Sequence, residues 1–258
     1  MSEYWEDRMS KAQDKLTQKR ADEIQKQIEK YYSSSMRNVI NSFVRTYEKI
    51  LGTVEKGKEP TPADLYKLDT YWKMSAQLRD ELQKLGNKQM VLFSKAFEEE
   101  FLEIYNSISL PSQEAYSTIS KETITQMINA IWAADGKSWS ERIWSNNARL
   151  ADTLNEGLLH CVLTGKNTND LKKILRDRFN VSYNRADTLV RTELGHIQTQ
   201  AAHKRYKDAG VTEFEVWASK DERRCEVCGK LHMKKYPIYE KPPIPAHPNC
   251  RCTILPVI

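Results

Sequence analysis

Between Trp5 and Leu51 the chain contains neither glycine nor proline. A strand-based fold needs a turn every 8–12 residues or so, which leaves a helix as the economical reading of this stretch. Apolar residues recur at 5, 9, 12 and 16, then at 24, 28, 31/32, 36, 39/40, 43, 47 and 50/51, steps of three and four that define one helix face. Unbroken, such a helix would run to roughly 70 Å at 1.5 Å per residue. Residues 10–30 are very polar, so this part is expected to fray or to order only against a partner. Gly52 and Gly57 end the element.

The same logic carries the reading to Gly210. Thr61-Pro62-Ala63-Asp64 is a helix start, with an N-cap Thr, Pro at the first helical position and an acid in the first turn. Helical pattern continues from Leu65 to about Ile108 with an expected interruption at Gly86. Leu110-Pro111-Ser112 is a turn, and Gln113 to Ala134 is helical again. Ser138-Trp139-Ser140-Glu141 is a capping box for a helix to about Leu163, closed by Gly165. A short basic helix from Asn167 to Phe179 is followed by a second, Ser182 to Asp208, with Gly210 as C-cap. Beyond it Thr212, Phe214 and Val216 alternate with Glu213, Glu215 and Trp217 as in a strand, and Arg251–Val257 could pair with it.

Composition divides the chain the same way. Nine glycines and nine prolines in 258 residues fall well below the roughly 12% that the pair makes up in ordinary proteins. Six of those prolines lie in the last 22 residues, and four of the five cysteines in the last 34. The fold class is therefore mainly α: an elongated helical N-terminal body over 1–135, then 136–258 with helices over 138–210 and a small Cys/His/Pro-rich β unit over 211–258. The mean hydropathy is −0.68, and no apolar run approaches the 18 residues of a membrane span. The charged start MSEYWEDRMSKAQDKL lacks an apolar leader core, which predicts folding in a reducing cytosol. There, clustered Cys and His point to metal before disulfides.

The tail reads Cys225-Glu-Val-Cys228 and then His247-Pro-Asn-Cys250-Arg-Cys252. Two cysteines separated by two residues direct both thiolates at one ion, and tetrahedral Zn²⁺ takes four ligands. Five candidates are present, and spacing alone does not choose four of them. A unit this short buries too little apolar surface to hold a fold alone, so a structural metal is expected. The alternative is a set of buried reduced thiols packed as small hydrophobes. A catalytic deaminase zinc would require His-x-Glu, and neither His232-Met-Lys nor His247-Pro-Asn supplies it.

Other constellations are weaker. Asp135-Gly136-Lys137-Ser138 ends like a phosphate-binding loop, but Ile131 stands where its first glycine belongs and a helix precedes it. Glu193-x-x-His196 has di-iron spacing but occurs once, so an ion pair or packed polar contact is the better reading. Net charge is +5, and ten Lys/Arg against five Asp/Glu fall between Lys166 and Gly210. Lys172, Lys173, Arg176, Arg178, Lys204 and Arg205 could meet DNA phosphates there, without aromatic residues to read bases.

The order Ala186-Asp-Thr-Leu-Val-Arg191-Thr-Glu193, Tyr206, Gly210, Trp217, Asp221-Glu-Arg-Arg224-Cys225-Glu-Val-Cys228 and His247-Pro-Asn-Cys-Arg-Cys252 resembles the phage head morphogenesis, or Mu F-type, minor capsid protein family. The helical first half, from Tyr4-Trp5-Glu-Asp-Arg8, is also similar to minor head proteins of phages and prophages of Gram-positive bacteria. The resemblance implies a non-enzymatic protein made in the host cytoplasm and built into the head of the virion in few copies. Its partners would be the portal and other capsid or scaffold proteins, and its work procapsid assembly, DNA packaging or DNA delivery. Some members carry a toxin domain after this module. Arg191, Glu193, Trp217, Asp221 and Arg224 become structural motif residues in this reading, with Trp217 and Phe214 forming the small core and Asp221 and Arg224 orienting the knuckle loop. The rival readings are a metal-dependent nuclease or toxin-like effector drawing on His232, Asp221 and Glu193, and a zinc-containing DNA-binding protein.

Overall fold

The computed structural model of the chain describes residues 3–53, 61, 63, 69–110, 119–218 and 224–257. Among them are six helices, α1 (Glu3–Thr53), α2 (Asp69–Ser107), α3 (Lys121–Ile128), α4 (Trp139–Leu163), α5 (Thr168–Asp208) and α6 (Glu226–Leu231). Three strands, β1 (Glu213–Trp217), β2 (Lys235–Pro237) and β3 (Thr253–Val257), form an antiparallel sheet in the order β2-β1-β3. The fold is thus mainly α with a small C-terminal sheet, as composition and periodicity indicated. None of the described helices is long and apolar enough to cross a membrane.

Two compact units form. One gathers Met1–Gln25, Leu92–Trp139 and Thr188–Ile258, and the other Lys26–Val91 and Ser140–Asp187. In the second unit α1 presents Ile28, Tyr32, Val39, Phe43, Tyr47 and Ile50 to the core, the face expected from their spacing. Leu78, Leu82 and Leu85 of α2, Leu150, Leu154 and Leu158 of α4, and Leu171, Leu175 and Phe179 of α5 complete it. Four features depart from the sequence reading, and each has a packing cause.

Gly86 does not interrupt α2. A Cβ there would stand 2.4 Å from the Trp144 ring and 2.8 Å from the Asn147 amide, so the glycine permits a close helix approach inside an intact helix. The two helices expected on either side of residue 180 are one, α5. Ser182 lies buried in the middle of that helix, where its carbonyl accepts hydrogen bonds from the Tyr32 hydroxyl and from Asn146. No glycine or proline forces a break there.

The helix expected over Gln113–Ala134 is described only as α3, capped by Ser120 and ended at Asn129, whose side-chain oxygen accepts from the Trp139 indole at 3.1 Å. Residues 111–118 lie outside the described set, as do Pro62 and Asp64 of the expected Thr61 start. Gly165 and Gly210 adopt left-handed backbone (φ 58° and 74°) at the ends of α4 and α5, as their capping role requires.

The fourth departure concerns the first half of α1. Of the expected face (residues 5, 9, 12 and 16), Ala12 is exposed and Met9 and Leu16 only half-buried, and the Trp5 side chain lies outside what is described. Ser10, Gln13 and Thr17 are buried instead, followed by Ala21 and Ile24. Their partners are polar: Ser10 Oγ meets Thr253 Oγ1 at 2.9 Å, and the Thr17 hydroxyl donates to Glu100. The polar stretch that seemed to lack a partner has one within its own unit.

The first unit's core is built on Phe93, Phe97, Phe101, Leu194, Ile197, Tyr206, Phe214, Val216, Trp217, Ile254 and Leu255. Trp139 packs edge-on against Phe97 with ring centroids 5.4 Å apart. The central strand β1 pairs Phe214 with Tyr236 and Pro256, and Trp217 with Thr253. Phe214 stacks on Tyr236, and Trp217 meets the edge of His232 at 4.9 Å. These contacts leave both aromatics almost wholly buried, and the Tyr206 hydroxyl donates to the Ile254 carbonyl at 3.0 Å, which fixes α5 on β3.

Candidate metal centre

Two short turns present the tail's donors. In the first, Cys225 caps α6: its sulfur accepts the Cys228 N–H at 3.3 Å, which brings residues 225 and 228 to the same side. In the second, the Cys250 N–H reaches back to the His247 carbonyl at 3.2 Å, with Asn249 in left-handed backbone (φ 58°) at the corner. His247 Nε2 lies 3.2 Å from Cys225 Sγ and 3.0 Å from Cys228 Sγ, and Cys228 Sγ lies 3.7 Å from Cys250 Sγ. The donors form two triads, Cys225–Cys228–His247 and Cys228–Cys250–Cys252, whose ligand atoms lie within 4.8 Å of one another in each.

Those distances suit a tetrahedral ion. With Zn–S bonds of about 2.3 Å, neighbouring sulfurs stand about 3.8 Å apart. Cys228 and Cys250 already have that separation. The donor set is all thiol and imidazole, the chemistry that soft-to-borderline metals select over Mg²⁺ or Ca²⁺. The cluster therefore can hold a metal ion.

Its electrostatics point the same way. The Cys228 N–H, together with the neighbouring backbone and the charge on His247, draws the Cys225 thiol below its ordinary value. Burial pushes Cys228 up to about 12. Cys250 is held at about 5, chiefly by the hydrogen bond it receives from the Cys252 thiol, and Cys252, the donor, is raised correspondingly. Burial pulls His247 down, but the Pro248 carbonyl and the thiolates of Cys250 and Cys225 outweigh it and leave it raised. An ion would complete the deprotonation that one thiolate has begun.

Helix α5 carries the platform. Thr192 Oγ1 accepts the Asn249 N–H at 3.0 Å and so holds the corner of the second turn. Gly195 faces the Cys250 carbonyl, which would lie 3.0 Å from any Cβ placed there. Glu193 points elsewhere and accepts the Trp132 indole N–H at 2.9 Å. His196 stacks on that indole with centroids 4.3 Å apart, and burial lowers its pKa to about 3. Arg191 reaches α1, donating to Asp22 and Gln25, each at 3.0 Å, and to Gln18 at 3.4 Å. Arg251, between two cluster cysteines, forms a two-point ion pair with Asp14. A cleft of about 700 Å³ opens over the cluster, lined by Gln18, Asp22, Arg191, Arg224, Asn249 and Arg251 besides the donors.

The exposed Arg224 donates to the Gly229 carbonyl at 3.2 Å and so sits on α6, while Asp221 lies outside the described residues. His232 accepts the Ala218 N–H at 3.3 Å, and the described donors of the two triads include no carboxylate. Among the basic residues, Lys173, Arg176 and Arg178 are exposed and Lys172 half-buried. Lys204 pairs with Asp208 one turn on. Arg205 is withdrawn from any DNA surface: it is 5% exposed, donates to the Ile108 carbonyl at 3.2 Å and lies over the Tyr105 ring. A lysine or arginine count does not distinguish such a buried cation from a solvated one. Thr192, Gly195, Asn249 and Arg251 were not singled out from the sequence. The available signal was Gly195, since a glycine inside a helix costs about 1 kcal/mol and marks a close approach.

A two-turn Cys/His cluster seated on a long helix and backed by a three-stranded sheet defines a small metal-binding-type module within a helical protein. Residues 152–255 match the family model described as Phage Mu protein F like protein. The match covers α5, β1, β2, the first three residues of β3 and all five donors. The chain is also 25% identical over 158 residues to NAD(+)–arginine ADP-ribosyltransferase EFV of Enterococcus faecalis, covering 54% of this chain and 32% of that protein. It thus spans about a third of that relative's length. No solved structure matches.

Proposed function

We propose that this protein is a non-enzymatic minor capsid protein that acts in procapsid assembly near the portal and in DNA packaging or delivery. It would reside inside the phage head after assembly in the host cytoplasm. The observation that carries this reading is the family match over residues 152–255, because it covers the segment whose side chains build the cluster. The portal and other capsid or scaffold proteins are its partners, met through its helices. In the same reading Zn²⁺ is held by four of Cys225, Cys228, His247, Cys250 and Cys252, with a structural role.

Lys172, Lys173, Arg176 and Arg178 are the candidates for non-specific DNA contact. The unit that contains them bears 20 Lys/Arg and 14 Asp/Glu, whereas the other bears 20 and 21, so the chain's positive charge belongs to that unit. Phosphate contacts of this kind weaken steeply with salt and carry no sequence preference.

Co-expression with the portal, scaffold and major capsid proteins of its own phage tests the assignment. Incorporation into procapsids at a few copies per particle is expected, and exclusion from particles of normal yield and shape would overturn it. The enzymatic reading is tested on the same preparation. Metal-dependent plasmid cleavage lost in His232→Ala, or ADP-ribose transfer from NAD⁺ to an arginine acceptor, would refute the non-enzyme assignment.

A further inference from the structure

Five side chains on one stripe of α1 face the metal module: Ser10, Asp14, Gln18, Asp22 and Gln25 follow one another at steps of four, four, four and three. Every one of them is met by a residue attached to the cluster or its sheet. Ser10 meets Thr253 of β3. Asp14 receives the guanidinium of Arg251, whose two chain neighbours, Cys250 and Cys252, are both cluster donors. Gln18, Asp22 and Gln25 receive Arg191, which directly precedes Thr192, the residue that holds the Asn249 corner.

The Arg251–Asp14 pair is not loosely solvated, whereas Asp22 opposite Arg191 is exposed. Arg251 and Asp14 side chains are 26% and 19% exposed, and two parallel hydrogen bonds fix the fork against the carboxylate. Beneath the stripe, buried Gln13 and Thr17 belong to the same unit's polar interior. Little apolar area is buried by α1 residues 9–20, so the packing that usually holds a helix is weak here. Polar contacts therefore seat this segment: the Arg251 and Arg191 clamp on the module's side, and the Thr17 and Arg20 contacts to Glu100 on the other.

We infer that metal loading of the cluster is coupled to the docking of α1 residues 9–25, with Arg251 and Arg191 as the positioning residues that link them. The inference rests on the metal reading. With Cys250 and its neighbours held by an ion, the backbone at Arg251 has one position, and the fork meets Asp14. With the ion removed, the second turn is free to relax, the carbonyl of Cys250 leaves Gly195, and the Arg251 fork loses its aim. Residues 9–25 then lose the clamp at Asp14 first and the contacts to Arg191 after it, while Thr17 and Arg20 keep theirs to Glu100. Bound metal thus controls whether this acidic and amide-rich helix face stays closed against the module.

Hydrogen exchange by mass spectrometry on the full chain, with metal content measured on the same samples, tests this. Metal removal by chelation should raise exchange in residues 9–25 by about tenfold or more, as expected for loss of a local docking contact. Arg251→Ala should raise exchange there to a similar extent while retaining the metal. Arg251→Lys, which keeps the charge but loses the fork, should fall between. Unchanged exchange over 9–25 after verified metal loss, or in metal-loaded Arg251→Ala, would overturn the coupling. A protein isolated with under about 0.2 equivalents of metal would instead sink the metal reading, and this inference with it. If chelation unfolds the whole module, Arg251→Ala still decides the question, because it leaves every donor in place.

Discussion

Arg20→Ala is a severe test of the polar packing that seats the first half of α1. The Arg20 guanidinium donates Nε to Glu100 at 2.7 Å and Nη1 to Glu99 at 2.9 Å, and it also pairs with Glu103. The three acids differ in exposure: the Glu99 and Glu103 side chains are 50% and 47% exposed, and Glu100 is 0%. The two exposed pairs together contribute at most about 1 kcal/mol. Stripping the partner from a buried carboxylate costs about 3–5 kcal/mol, and the Thr17 hydroxyl that remains on Glu100 places the expectation at the low end, about 3 kcal/mol at pH 7.

Glu100→Gln should behave differently. Burial raises Glu100 by more than Thr17 and Arg20 lower it, so a neutral group of the same shape suits the site and should cost under about 1 kcal/mol. The pH dependence has a definite sign. Because the folded pKa lies above the unfolded one, the stability tied to this proton is complete below the unfolded value of about 4.3 and is lost as pH rises through the folded value. Loss of Arg20 raises the folded value further. The Arg20→Ala deficit relative to the parent should therefore shrink from pH 7 to pH 5. Urea unfolding followed by circular dichroism at both pH values measures it. A deficit under about 1 kcal/mol at pH 7, or one that grows toward acid, would refute the reasoning.

Other substitutions probe separate links. Gly86→Ala places a methyl 2.4 Å from Trp144 and should destabilise by about 1–3 kcal/mol despite better helix propensity, with a change in tryptophan fluorescence; a stabilised variant would contradict the close approach. Trp132→Phe keeps the stacking ring beside His196 but leaves Glu193 without its indole donor, at a cost of about 1–3 kcal/mol read from thermal unfolding; no loss would show that the hydrogen bond is replaceable. Gly195→Val pushes against the Cys250 carbonyl and should lower metal retention on dialysis without removing a donor; full retention would detach the helix from the cluster.

The parts of the fold that local pattern dictates were legible in the sequence. The stretch free of glycine and proline gave α1, the capping box gave the start of α4, and alternation after Gly210 gave β1 with β3 as its partner. The apolar periodicity misses the buried Ser10, Gln13 and Thr17 of α1, because the groups met by Ser10 and Thr17 are polar and distant in sequence: Thr253 is 243 residues from Ser10, and Glu100 is 83 from Thr17. The five donors were visible from spacing, which reports on backbone turns. The platform under them was not, since Thr192 and Gly195 act on Asn249 and Cys250 across tertiary contacts that no local window contains. Arg205 failed as a surface cation for the same reason, its partners Ile108 and Tyr105 lying on another element.

A metal ion at the Cys/His cluster would hold this module together. Elemental analysis of protein purified without chelators, paired with Cys225→Ser and Cys228→Ser, measures that directly. About one equivalent of zinc in the parent is predicted, lost in both variants together with the hydrogen-exchange protection of β1 and β3. Under about 0.2 equivalents in a metal-replete preparation, with the sheet still protected, would contradict it.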